Sequence, residues 1–117
     1  MAERRLFSKK IVESDAFLEM KPQSQLLYFH LCMNADDEGF VNSPKKIAKL
    51  CGVSVKNIDE LVEKHFLIDF NEIVVIKHWF INNLKRNDRF HKTTYQNYFS
   101  KLTIKENGSY SMNKSDV

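Results

Sequence analysis

The feature that most constrains this chain is Gly52, set between two apolar runs of helical period. Ile47-Ala48-Lys49-Leu50 precedes it, and Ile58 and Leu61 follow it. Glycine turns a chain with φ > 0 at no steric cost, so a helix ending near Leu50 can stop and redirect here. Ala48 is small, so a second helix can cross close to it. Val53 fills the gap between the two. Ser54 is placed to cap the second helix through its hydroxyl. Ile58 and Leu61 lie three apart on one face, which predicts packing back onto Ile47 and Ala48. The pattern predicts a helix-turn-helix, the common device for setting a helix into the DNA major groove.

The rest of the chain supports a single core. It has 117 residues, with nine Phe, four Tyr and one Trp. That is enough apolar volume to fold without staples. Three Gly and two Pro favour regular structure with short connections. A net charge of +3 permits nucleic acid as a partner but does not demand it. Cys32 and Cys51 each sit in an apolar helical pattern, which predicts reduced, buried thiols in a cytosolic protein. The start, Met1-Ala2-Glu3-Arg4-Arg5-Leu6-Phe7, lacks the apolar core of a secretion signal. The apolar run around Leu26 to Met33 is far short of the roughly 20 residues a membrane helix needs. The expected location is the cytoplasm, away from the membrane.

Read in order, residues 1–13 form a basic arm or short helix with Leu6, Phe7, Ile11 and Val12. Ser14-Asp15 caps a turn carrying Ala16, Phe17, Leu18 and Met20. Pro22 suits the first turn of a strongly apolar helix running from Gln23 to about Asn34. Asp36-Asp37-Glu38-Gly39 is a polar turn before a short strand at Phe40-Val41. Asn42 or Ser43 caps the next helix, with Pro44 at its first position. After the helix-turn-helix, Phe66–Phe70 and Ile73–Trp79 read as two strands around Asn71-Glu72. Beyond residue 80, Tyr95, Tyr98 and Phe99 are spaced for one helix face, and Leu102–Tyr110 reads as a hairpin about Asn107-Gly108.

The expected fold is mainly α with a small antiparallel β-hairpin (α+β), a winged helix-turn-helix. The expected organisation is a winged-helix domain with its arm over 1–80, a basic extension packed on it over 81–110, and a disordered tail over 111–117.

The charges divide unevenly. From Ser54 to Glu72, Lys56 and Lys64 face Asp59, Glu60, Glu63, Asp69 and Glu72, an acidic surface for a segment meant to meet phosphate. Lys56 and Asn57 open the second helix. They are the candidates for reading bases, since Asn pairs bidentately with adenine. Positive charge gathers elsewhere: Arg4, Arg5, Lys9 and Lys10; Lys45, Lys46 and Lys49; and Lys77, Lys85, Arg86, Arg89 and Lys92 with His78 and His91. Trp79, Phe80 and Phe90 interleave with the third cluster, as on surfaces that grip nucleic acid by phosphate contact and stacking. Trp79 itself reads as core.

Catalysis is not indicated. Asp36, Asp37 and Glu38 precede Gly39 as turn residues do. The histidines and cysteines have no zinc spacing, and neither a phosphate loop nor a nucleophile elbow is present. No catalytic residue, metal or cofactor is expected.

Several segments together resemble one family. They are Phe7-Ser8-Lys9-Lys10-Ile11, Leu27-Tyr28-Phe29-His30-Leu31, Ala35-Asp36-Asp37-Glu38-Gly39-Phe40-Val41, Ile76-Lys77-His78-Trp79, Asn82-Asn83, Lys85-Arg86-Asn87-Asp88-Arg89-Phe90 and Thr94-Tyr95. Over residues 5–110 the chain resembles the N-terminal winged-helix region of phage replisome organisers and DnaD-like replication initiation proteins. The resemblance implies a module that engages origin DNA, self-associates, and works with a helicase loader or helicase. The expected function is therefore non-enzymatic DNA binding, double- or single-stranded, in replication initiation, as a homo-oligomer. The candidate DNA-binding residues are Arg4, Arg5, Lys9, Lys45, Lys46, Lys56, Asn57, Lys85, Arg86, Arg89 and Lys92. The alternatives are a protein–protein assembly module, motivated by the acidic second helix, and a small transcriptional regulator.

Overall fold

The computed structural model describes residues 6–83 and 93–112, and these form an α+β fold. Three short or medium helices come first: α1 (Lys9–Val12), α2 (Asp15–Leu18) and α3 (Pro22–Met33). Then come β1 (Phe40–Asn42), α4 (Pro44–Leu50), α5 (Lys56–Glu63), β2 (Leu67–Asp69) and β3 (Ile73–Ile76). A turn of helix, α6 (Trp79–Asn82), closes this part, and α7 (Gln96–Phe99), β4 (Leu102–Ile104) and β5 (Tyr110–Met112) follow.

Capping chemistry sets most boundaries. Ser14 accepts the Phe17 N–H and starts α2. Pro22 and Pro44 occupy first turns, where a missing N–H costs nothing. Asn42 and Ser43 do not cap α4 as expected. Ser43 takes a left-handed backbone (φ 55, ψ 57), its N–H donates to the Glu72 carbonyl, and its hydroxyl turns to Asn42 Oδ1. The helix start is fixed instead by Pro44 and by this tie to the β2–β3 turn.

α4 and α5 meet as the sequence predicts. Gly52 (φ +78) ends α4 in a paired reverse-turn cap: its N–H donates to Lys49 and the Val53 N–H to Ala48. Ser54 Oγ accepts the Lys56 N–H at 3.2 Å, which begins α5. Ile47, Ala48, Ile58 and Leu61 are all buried. α5 ends in the same cap as α4, but with His65 in the left-handed position (φ 67); Phe66 N–H donates to Leu61 and His65 N–H to Val62.

The three-stranded sheet has the order β1-β3-β2, antiparallel throughout. Val74, Val75 and Ile76 are fully buried in its central strand. β3 stops at Ile76, not at Trp79. Lys77, His78 and Trp79 leave the ladder because Trp79 turns its ring over Gly39 and donates Nε1–H to the Asp37 carbonyl at 3.0 Å.

Phe17, Tyr28, Phe29 and Phe66 pack edge-to-face between the helices, with Phe17–Tyr28 centroids 5.3 Å apart. Such pairs add about 0.5–1.5 kcal/mol each beyond area burial.

Residues 93–112 lie on the other side of the sheet. Tyr95 and Phe99 approach Phe40, and Tyr98 approaches Phe70 at 4.8 Å. Tyr110 is fully buried and its hydroxyl donates to the Glu38 carbonyl at 2.6 Å. Ser111 and Met112, assigned from sequence to a tail, belong to β5, where Met112 pairs with Leu102. Residues 113–117 lie outside the described part. The two cysteines form no disulfide; Cys32 is buried and Cys51 half-buried. Among the described residues no helix is long and apolar enough to cross a membrane.

Candidate nucleic-acid interface

α5 presents a mixed surface to solvent. Lys56, Asp59, Glu63 and Lys64 are exposed, with Val55 just before them. Glu60 is removed from this surface. It is half-buried, and its Oε1 accepts the Lys21 N–H at 3.3 Å and the Ser24 hydroxyl. A carboxylate at the start of α3 is favoured by the partial positive charge of a helix N-terminus. The helix is therefore less acidic where it meets solvent than its sequence suggests. The turn after β2 keeps its negative charge: Asp69 and Glu72 are exposed, although Asp69 Oδ1 also accepts the Asn71 N–H at 2.7 Å.

Asn57 is not placed to read a base. It is buried, its Oδ1 accepts the Ser24 hydroxyl at 2.9 Å, and its Nδ2 donates to the Ser54 carbonyl at 3.0 Å. The amide that would pair with adenine instead clamps α5 to α3. Sequence places Asn57 at the N-terminal end of α5 but does not say which way its side chain points.

Among the described residues the candidate DNA-binding cations are Lys9, Lys45, Lys46 and Lys56. Lys45, Lys46 and Lys49 are exposed on α4, a helix without a single acid. None of the three enters an ion pair among the described residues. Lys49, grouped with Lys45 and Lys46 from sequence, stands three or four residues further along the helix and so shares their face. Lys56 is exposed at the other end of the same turn. Lys9 faces Glu13 one helical turn away at 3.9 Å, both well exposed, a pair worth little in water. Arg4, Arg5, Lys85, Arg86, Arg89 and Lys92 lie outside the described residues. Their sequence neighbours do meet: the Leu6 N–H donates to Asn83 Oδ1 at 2.9 Å, and the Ser8 N–H to Asn82 Oδ1 at 2.8 Å. Asn82 Nδ2 in turn donates to the Tyr28 hydroxyl, which fixes the arm to the core.

The turn residues 36–40 are engaged in structure. Asp36 Oδ1 accepts the Glu38 and Phe40 N–H groups, and its Oδ2 accepts the Thr93 hydroxyl. Glu38 is buried and its Oε1 accepts the Thr93 N–H at 2.9 Å. No three His, Cys, Asp or Glu side chains among the described residues are grouped to hold a metal ion. His78 sits edge-on to Phe66, and burial, with Lys77 adding to it, pushes its pKa down to about 4. Its imidazole is neutral at physiological pH and serves the core.

The turn also carries apolar side chains that sequence reading passed over. Leu50 is 76 % exposed, and Val55 is exposed beyond Gly52. No protein-family model, curated protein or solved structure matches this chain.

Proposed function

We propose that this chain is a non-enzymatic DNA-binding module with a winged helix-turn-helix fold, acting in phage-type replication initiation. The observation that carries the reading is the row of exposed lysines on the acid-free helix α4 beside the α4–α5 turn, continued by Lys56. The sheet order β1-β3-β2, with β2 packed against α5, supports the winged-helix assignment. The motif set resembling replisome organisers supports the assignment to replication.

In this reading, affinity comes from phosphate neutralisation, not from base contacts by α5. Each lysine that meets a phosphate releases counterions, so binding falls steeply with salt. Lys56 enters the groove edge. Asn57 stays in the core. The Lys85–Lys92 cluster and Arg4 and Arg5, which lie outside the described residues, add positive charge to the chain. Partners at the origin, a helicase loader or helicase, are met in the assembled state.

A second reading is an assembly module whose DNA affinity resides elsewhere. Its support is the exposed carboxylates Asp59, Glu63, Asp69 and Glu72, which a phosphate backbone would repel.

Fluorescence anisotropy of two charge-neutralised variants separates the readings. Lys45→Gln/Lys46→Gln/Lys49→Gln should weaken duplex binding and flatten the salt slope by about one unit per lost phosphate contact. Lys85→Gln/Arg86→Gln/Arg89→Gln should do the same. Unchanged slopes in both variants would turn the assignment to assembly.

A further inference from the structure

α4 turns Lys45, Lys46, Lys49 and Leu50 to solvent, while Pro44, Ile47 and Ala48 are buried. Three of the four exposed side chains are cations. The fourth, Leu50, is the most exposed large apolar residue among the described residues. It stands one helical turn after Lys46 and therefore on the lysine face. Lys56 and the exposed Val55 lie just across the turn.

The fold makes no use of Leu50. The reverse-turn cap at Gly52 brings its own apolar plug, Val53, which is half-buried against the core. Among the described residues, Leu50 and Val55 belong neither to the core nor to the side chains packed against it. The turn beside Leu50 is open as well, since a Cβ at Gly52 would meet nothing within 4 Å. A polar side chain at position 50 would fold equally well, so an apolar one there has its use in contact with a partner.

The surrounding charge selects that partner. Its surface must be anionic around a slot that takes a single apolar side chain. DNA offers this where two neighbouring bases part, because leucine is among the side chains that wedge between base steps and phosphates flank the gap. An anionic membrane asks for more: stable anchoring takes a broad apolar face or two anchors. Leu50 and the partly exposed Val55 supply one side chain and a fraction of a second.

We propose that Leu50 inserts between neighbouring DNA bases where stacking is already weak, with Lys45, Lys46 and Lys49 on the phosphates beside it. The inference rests on the DNA-binding function proposed above and names its preferred ligand, DNA with an unpaired or kinked step. Insertion costs unstacking, and the cost is least at mismatched bases. Phosphate contacts set the salt slope. An apolar contact releases no counterions, so the two contributions separate experimentally.

Fluorescence anisotropy of the full chain should compare a fully paired duplex with the same duplex carrying a short mismatched run, each across a salt series. The wild type should bind the mismatched duplex at least about fivefold more tightly. Leu50→Ala trims an exposed side chain and should leave the thermal midpoint unchanged. It should bring the two affinities to within about twofold of each other, with the salt slope on the paired duplex unaltered. Lys45→Gln/Lys46→Gln/Lys49→Gln should weaken binding to both duplexes and flatten both slopes, yet keep their ratio. Equal wild-type affinity for the two duplexes, or a preference retained in Leu50→Ala, would overturn the insertion and leave the DNA reading standing. Absence of binding to either duplex would remove the DNA reading, and the insertion with it. Wild-type binding to phosphatidylglycerol vesicles that Leu50→Ala abolishes would assign the residue to a lipid surface and overturn the proposal.

Discussion

Asn57→Ala tests whether α5 is held to the core by the residue that its position marks as a base reader. Two hydrogen bonds are lost, one to the Ser24 hydroxyl at 2.9 Å and one to the Ser54 carbonyl at 3.0 Å. Neither partner is orphaned. Ser24 keeps Glu60, and the Ser54 carbonyl keeps the Asn57 N–H at 3.1 Å. The single Ser24 hydroxyl proton is shared with Glu60, so one full bond and one shared bond are lost, about 1–2 kcal/mol together. For a domain of this size the thermal midpoint should fall by about 4–8 °C, near 4 °C per kcal/mol. Thermal melts by circular dichroism measure the loss. Anisotropy on duplex DNA, run well below the variant's midpoint, should show affinity within about twofold of wild type. A midpoint within about 1 °C of wild type, with affinity down tenfold or more, would refute the reasoning and return Asn57 to the DNA surface.

Three further outcomes follow from the geometry. Gly39 has φ +88, and a Cβ there would stand 2.7 Å from Trp79 Cγ, so Gly39→Ala should cost at least about 3 kcal/mol in urea unfolding. Gly52 has φ +78 with open space around it, so Gly52→Ala should cost only about 1 kcal/mol; equal losses at the two sites would show that the Trp79 contact is unimportant. His78 is held at about 4 by burial and by Lys77, below its ordinary value of about 6.5. Between those values the unfolded chain binds a proton that the folded chain does not, so stability falls as pH drops through that window. The urea midpoint should decrease from about pH 7 to about pH 5, and His78→Gln should flatten the decrease; an identical pH profile in the variant would remove His78 as its cause. Tyr110→Phe deletes the hydroxyl that donates to the Glu38 carbonyl and should lower stability by about 1–3 kcal/mol, since that buried carbonyl loses the bond. No change in the urea midpoint would contradict the role given to Tyr110 in holding residues 93–112 on the sheet.

Features with a local physical cause were readable in the sequence. Pro22 and Pro44 mark helix starts because their rings fix φ, and Gly52 marks a helix end because only glycine takes φ > 0 freely. The alternation and turn of β2–β3 and the Asn107-Gly108 hairpin were readable for the same reason. Features with a tertiary cause were not. His65 and Ser43 take left-handed backbone that their side chains do not announce. Trp79 ends β3 because of Gly39, forty residues earlier in the chain. Of the candidate site, the lysines of α4 were readable from spacing and composition. The burial of Asn57 and the withdrawal of Glu60 were not, because both depend on Ser24 of α3. α3 was visible in the sequence as a strongly hydrophobic helix, and only the fold shows that its Leu26 and Met33 face outward.

The measurement that bears most directly on the function is the affinity of the unmodified chain for duplex and single-stranded DNA across a salt series. A phosphate-gripping module gives saturable binding whose logarithm falls with the logarithm of salt at a slope of about −3 or steeper. Absence of binding at low salt, or a slope near zero, would contradict it.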